Sequence, residues 1–235
     1  MLPWTASATA DRLNDVRDTS LAKLVRDDVL ELILHGALLP GQRINEPDIA
    51  ARLKVSRVPV REALRELESS GLVVARKNAG VFVRQLEAID VRELYELREM
   101  QDGYAASRVA ALPAARRQPL ARRLEAAIGV MNASVDSGDA QAYYAENLKF
   151  HWAIVEAVGN RQLLDAYRGV IQRLHVARLS NLSGDAGRRI SIAEHLQIAK
   201  ALRQGDAAAC EQLARAHVTD AHARLIPPQQ TGDTR

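Results

Sequence analysis

"VSRVPVREALRE", residues 55 to 66, has the apolar spacing of a helix, yet it carries a proline at 59 and arginines at 57, 61 and 65. Inside a helix, proline removes a backbone donor and clashes with the preceding turn, at a cost of about 3 kcal/mol. Ser56 resolves the conflict. As an N-cap it puts Pro59 in the first turn, where backbone N–H groups have no intrahelical partner. Val60, Ala63, Leu64 and Leu67 then make a buried face, and Arg57, Arg61 and Arg65 form a flank about a third of a turn away. Gly71 ends the helix.

The flanking sequence supplies the rest of a small unit. Leu21, Leu24, Val25, Val29, Leu32 and Ile33 recur at helical spacing and predict a first helix from Ser20 to His35, stopped by Gly36. Pro40 and Gly41 mark a turn. In "NEPDIAARLKV" Asn45 serves as cap, Pro47 fits the first turn and Asp48 completes a variant capping box, so a short second helix ends near Lys54. Downstream, "LVVARKNAGVFV" alternates around Lys-Asn-Ala-Gly and predicts a two-stranded hairpin. Helix, helix, turn, helix and hairpin is the order of a winged helix-turn-helix.

From Ile89 almost to Ile226 the apolar pattern stays helical, with breaks at Leu112-Pro113, Ser137-Gly138-Asp139, Gly159-Asn160, Ser183-Gly184-Asp185 and Gln204-Gly205-Asp206. Those breaks predict six helices of roughly 18 to 25 residues, enough for a separate core. The expected fold is mainly α: an N-terminal winged helix-turn-helix with a small β-hairpin wing over residues 20–86, then an all-α bundle of six-helix type over residues 87–226. Residues 1–19 read as a flexible segment and 227–235 as a polar tail.

Composition agrees. Aromatics are only 4% against 47% apolar residues, as in a soluble, mostly helical protein. The single cysteine, Cys210, excludes an intrachain disulfide and reads as a small core side chain. The N-terminus lacks the basic start and apolar run of a signal peptide, and no apolar stretch approaches the 20 or so residues of a membrane helix. A cytoplasmic protein without a membrane partner is expected. Net charge is +3, but residues 40–86 carry nine Lys or Arg against five Asp or Glu, whereas residues 87–235 are nearly balanced. Nucleic-acid contact is therefore expected in the first third.

A recognition helix presents its N-terminal side chains to base edges in the major groove while basic groups around it bind phosphates. Arg57 and Arg61 occupy those first two turns, with Arg65 continuing the line. Arginine offers guanine O6 and N7 two donors, about 1 to 3 kcal/mol of discrimination per good contact. Ser56 suits a phosphate, and Arg76 and Lys77 in the wing suit the DNA backbone. The bland alternative is a solvated basic face on an amphipathic helix.

"ILHGALLPGQRINEPDIAARLKVSRVPVREALRELESSGLV" followed by "GVFV" resembles the DNA-binding domain of the GntR family over residues 21–84. The resemblance implies recognition of a double-stranded operator by Ser56, Arg57 and Arg61, with wing residues in or near the minor groove. Lys54 departs from the family pattern, where glycine commonly precedes Val-Ser. Lysine in a left-handed turn costs roughly 1 kcal/mol, though Lys54 could add a phosphate contact.

Six histidines occur in the chain. Asn147 and His151 are four apart and share one helix face. His195 and His217 fall on the last two helices, and a Gln-Gly-Asp turn makes those antiparallel, so both rings can point into one interior. The alternative is three independent histidines. "FHWAIVEAVGN" and "EHLQIAKALRQGD" behind such a head resemble the FCD ligand-binding domain of the FadR subfamily, over residues 89–226. That resemblance implies a metal held by Asn147, His151, His195 and His217.

Three imidazoles suit Zn²⁺, with Ni²⁺ or another borderline divalent ion as alternatives. Asn147 stands where many relatives have Asp, so no protein ligand neutralises the ion. A bound carboxylate is then favoured, and the ion itself is held more weakly. Arg98 matches the first-helix arginine that the subfamily uses near its effector and could clamp a carboxylate bidentately; the alternative is an ion pair with Asp102 one turn on. Arg188, seven residues before His195, shares its helix face and is a second pocket candidate. His175 and His222 fall outside this frame and read as structural or exposed.

The reading that follows is a metabolite-responsive regulator, a repressor in most of the family, binding a palindromic operator as a homodimer and a small organic acid at the metal. Two alternatives compete. In one the metal itself is the signal. In the other three histidines with open coordination positions activate water in a metal-dependent enzyme, but Glu146 and Glu194 lie about 100° around their helices from the neighbouring site residues and need not point inward.

Overall fold

The structure is a computed structural model that describes residues 20–178 and 185–225. The expected flexible start, the polar tail and most of the Ser183-Gly184-Asp185 break lie outside the described residues. The described residues group into two compact units, 20–91 with 168–178, and 92–167 with 185–225.

In the first unit α1 (Leu21–Leu34) begins at Ser20, whose side chain accepts from the Lys23 N–H. α2 (Glu46–Leu53) and α3 (Arg57–Ser69) follow, with Asn45 and Ser56 at the N-cap positions. Neither side chain caps: Asn45 donates its amide to the Asp48 carboxylate at 2.8 Å, and Ser56 makes no capping bond. The sequence therefore marks where each helix starts but not how its first N–H groups are satisfied. Lys54 ends α2 in the left-handed region at φ 55°, the conformation expected for the residue before Val-Ser.

The wing is larger than a hairpin. β1 (Arg43–Ile44) joins β2 (Val73–Arg76) and β3 (Gly80–Val83) in an antiparallel sheet of order β1-β3-β2, pairing Arg43 with Phe82 and Ile44 with Val81. Two residues are too few to show the period-2 alternation by which strands are recognised. Asn78 turns the hairpin at φ 60°, a conformation that Asn tolerates better than most residues. Val25, Val29, Ile33, Val60, Ala63, Leu64, Leu67, Leu72 and Val83 form the core. Each large aliphatic contributes about 1.5 to 3 kcal/mol by leaving water.

The second unit takes α4 (Ala88–Ala110) from residue 92, α5 (Ala114–Asp136), α6 (Ala140–Ala157), α7 (Arg161–Arg178) as far as Tyr167, α8 (Asp185–Gln204) and α9 (Ala207–Leu225). Leu124, Met131, Phe150, Ile198, Leu202, Cys210 and Val218 are among its most buried side chains. Gly205 at φ 79° turns α8 back into α9. Gln118 and Arg117 of α5 donate to the Arg203 carbonyl at the end of α8, at 3.0 and 3.4 Å, satisfying an acceptor that the helix leaves open. The remainder of α7 belongs to the first unit, where the His175 Nε2–H donates to the Leu34 carbonyl at 2.8 Å. Among the described residues no helix is long and apolar enough to cross a membrane.

Candidate functional site

The basic flank of α3 forms as its periodicity requires. Pro59, Val60, Ala63, Leu64 and Leu67 are buried, while Ser56, Arg57, Arg61 and Arg65 are exposed. Lys54, Arg76 and Lys77 are exposed as well, and the Arg76 guanidinium lies 4.5 Å over the Phe82 ring. That stacking holds a cation on the wing without consuming its charge. Arg57 and Arg61 share one partner that spacing alone did not suggest, the Glu46 carboxylate at the start of α2.

Within the second unit α6, α8 and α9 bring three imidazoles together. The Nε2 atoms of His195 and His217 each lie 3.1 Å from the Nε2 of His151, and all three residues are buried. The other edges of two rings are occupied. His151 Nδ1 meets Asp102 at 3.1 Å, and His217 Nδ1 meets Glu194 at 2.6 Å. A carboxylate accepts only, so each Nδ1 carries its proton and each Nε2 presents a lone pair. Two lone pairs at 3.1 Å repel unless a cation lies between them. Nitrogens bonded to one ion at about 2.0 to 2.1 Å stand roughly 3 Å apart, which is the spacing found.

Asn147 lies one turn before His151 on α6, and its buried Oδ1 accepts no hydrogen bond among the described residues. An orphaned amide oxygen one helical turn from His151 has the chemistry of an oxygen ligand to a divalent ion. His195 Nδ1 is likewise buried without a partner, so its ring is held by packing against Phe150 at 4.4 Å between centroids.

The electrostatics keep the rings neutral. Burial lowers His195 well below the ordinary imidazole range, and repulsion from His217 and His151 adds to it. Burial brings His151 down to about 4 against the pull of Asp102, and lowers His217 although Glu194 opposes it. The carboxylates stay ionised. Burial would raise Asp102, but the hydrogen bond from His151 and the charge of Arg98 hold it low. Burial would likewise raise Glu194, which hydrogen bonds from His217 and Arg224 hold at about 2. Neutral imidazoles flanked by carboxylates are the state that binds metal.

Arg98 is buried and donates through Nε to Asp102 at 3.1 Å, the one-turn ion pair. Tyr167 of α7 donates to the same carboxylate at 3.2 Å. Arg188 is half-buried, with its guanidinium 6.0 Å over the Tyr143 ring. Glu194 does reach the cluster, and Arg224 holds it through two nitrogens at 2.7 and 2.9 Å. His175 is structural, while His222 stacks on Tyr95 at 4.7 Å. Spacing did not point to Tyr167 or Arg224. Glu194 could have been found from its place beside His195, since a carboxylate next to one ligand on a helix can reach the Nδ1 of another on the adjacent helix.

Compared with known proteins, the chain matches the model of bacterial regulatory proteins of the gntR family over residues 21–83 and that of the FCD domain over residues 93–220. It is 32% identical over 212 residues to the "Probable D-xylose utilization operon transcriptional repressor" of Paenarthrobacter nicotinovorans, covering 90% of each chain. It is 34% identical over 187 residues to the "Nta operon transcriptional regulator" of Aminobacter aminovorans, covering 76% of this chain and 82% of that one. A solved GntR transcriptional regulator from Rhodococcus sp. RHA1 aligns with a TM-score of 0.72 at 26% identity, over 88% of this chain and 98% of that one.

Proposed function

The chain belongs to the gntR family of transcriptional regulators and carries an FCD domain, and from that premise we propose a metal-dependent repressor of a catabolic operon, released from DNA by a small organic acid. It is a regulator and not an enzyme, like the relatives it matches. The operator is a palindrome bound by a homodimer, with Arg57 and Arg61 reading bases and Ser56, Lys54, Arg65, Arg76 and Lys77 around them. Leu97, Met100 and Tyr104, exposed at helical spacing on α4, are consistent with a covered face in such a dimer.

The sensory half rests on one observation, the 3.1 Å approach of His151 Nε2 to His217 Nε2 with both Nδ1 atoms held by carboxylates. His151, His195, His217 and Asn147 would hold the ion, Zn²⁺ or a similar divalent metal. A bound divalent ion supplies two positive charges and open positions for oxygen ligands. The surroundings do not cancel that charge: Asp102 is matched by Arg98, and Glu194 by Arg224. An anionic effector is therefore favoured over a site in which the metal alone is the signal. Arg188 is a candidate contact for that acid, and Arg98 acts on it through Asp102 or directly. A relative named for a D-xylose utilization operon supports the catabolic setting.

An acid with higher affinity for the DNA-free form shifts the dimer off its operator. Two measurements test the reading. Sequence-specific binding to DNA selected from a random duplex pool should disappear in Arg61→Ala; unchanged specificity would remove the DNA assignment. Screening organic acids by thermal shift should find one whose stabilisation is abolished by chelator. If every stabilising acid is indifferent to chelator, the metal-held effector is wrong.

A further inference from the structure

Glu46 is the first residue of α2, and its Oε2 accepts from Arg61 Nε at 2.9 Å and from Arg57 Nη2 at 3.4 Å. The two arginines come from the first two turns of α3. One carboxylate oxygen thus ties the start of one helix to both cations of the next. Burial would raise the Glu46 carboxyl, but the hydrogen bond and charge of Arg61, joined by those of Arg57, hold it below the ordinary range. The α2 N-terminus, with its positive end of the peptide dipoles, favours the anion further.

The atom that Arg61 spends matters. A guanidinium can address guanine O6 and N7 side-on, through Nε and one terminal nitrogen, or end-on, through both terminal nitrogens. With Nε committed to Glu46, only the end-on edge is open, and the terminal nitrogens of Arg61 make no hydrogen bond among the described residues. A flexible, exposed arginine is held in one orientation before DNA arrives, so less side-chain freedom is lost on contact.

We propose that Glu46 is a positioning residue for operator specificity: it holds Arg61 by Nε so that the two terminal nitrogens face one base pair end-on. This rests on the reading of α3 as the recognition helix. Glu46 lowers general attraction to phosphate, since its charge offsets part of that of the two cations it binds, Arg57 and Arg61. Discrimination is gained where non-specific affinity is given up.

The test uses full-length protein and double-stranded DNA selected from a random pool by the wild type, then every single-base variant of the selected site. Glu46→Gln and Glu46→Asp are compared with Arg61→Ala, with melting temperature as a fold control. Glu46→Gln should lose about fivefold or more of discrimination at one base pair, the pair at which Arg61→Ala also loses it. Its affinity for a duplex of unrelated sequence should be unchanged or higher. Glu46→Asp keeps the charge on a shorter arm; it should keep wild-type non-specific affinity while losing discrimination at that same pair. Full discrimination in both variants would overturn the proposal. So would a loss at a base pair that Arg61→Ala still reads, because Glu46 would then contact a base itself. If the wild type enriches no sequence, the recognition-helix reading falls and this proposal with it; if Arg61→Ala loses one base pair and the Glu46 variants lose none, only this proposal falls.

Discussion

His151 and His217 face each other through Nε2 atoms 3.1 Å apart, while their outer nitrogens are held by Asp102 and Glu194. The pair is fixed from both sides, so the histidines would not have to rotate to meet an ion. If the proposed site holds a metal, removing an outer partner should weaken its binding. Glu194→Gln, which leaves the size of the side chain unchanged, should weaken Zn²⁺ binding by about 10- to 100-fold, read by competition with a chromophoric chelator. Unchanged affinity in a folded variant would show that the outer carboxylate does not orient the ring.

Arg98 can be tested for its two roles separately. It is buried against Asp102, so Arg98→Ala leaves a carboxylate in the interior without its cation. Breaking a buried pair in this way costs about 3 to 5 kcal/mol, and chemical denaturation should show a loss of that size. A variant of wild-type stability that no longer responds to the acid would instead mark Arg98 as a direct clamp.

Lys54 sits at φ 55° without the freedom of glycine. Lys54→Gly should relieve about 1 kcal/mol of backbone strain and raise the melting temperature by a few degrees. The same change removes an exposed cation just before α3. The slope of log affinity for DNA against log salt should become shallower by about one unit. A stabilised protein with an unchanged salt slope would show that Lys54 does not touch phosphate.

Cys210 is fully buried in α9, and burial, with the charge of Asp206 adding, pushes its thiol up to about 12. Thiolate is the reactive form, so alkylation at pH 8 should follow global unfolding and its rate should fall with any stabilising ligand. The fold favours the neutral thiol. Its contribution is fully present below the ordinary thiol pKa of about 8.5 and should decline as the pH rises from there towards 12, visible as a falling denaturation midpoint. Rapid labelling under native conditions would contradict the burial.

The residues that speak through periodicity were legible in the sequence. Val60, Ala63, Leu64 and Leu67 lie on one face of α3, and Gly205 turns α8 into α9, because apolar spacing and left-handed glycine act locally. The three histidines were legible as a group because α8 and α9 share a short turn and α6 carries His151 four residues after Asn147. What spacing could not show was pairing across elements. Glu46 to Arg61, Asp102 to Tyr167 and Glu194 to Arg224 each join residues from different helices, and nothing local in the chain records which face of one helix meets which face of another. β1 was hidden for another reason: two residues carry no alternation, and its strand character comes from β3 beside it.

α7 leaves a practical mark on how this chain can be divided. Residues 161–167 count with the helices that carry the histidines, and residues 168–178 with the unit that carries α3. The two units are thus not two segments of sequence, and no single cut separates them cleanly. A fragment ending at residue 91 would retain α3 and the wing but lose His175, the donor to the Leu34 carbonyl at the end of α1, along with Val176, buried beside it in sequence. The isolated head should bind DNA as a less stable body than its own sequence span suggests, and a fragment beginning after residue 91 should carry an orphaned length of helix.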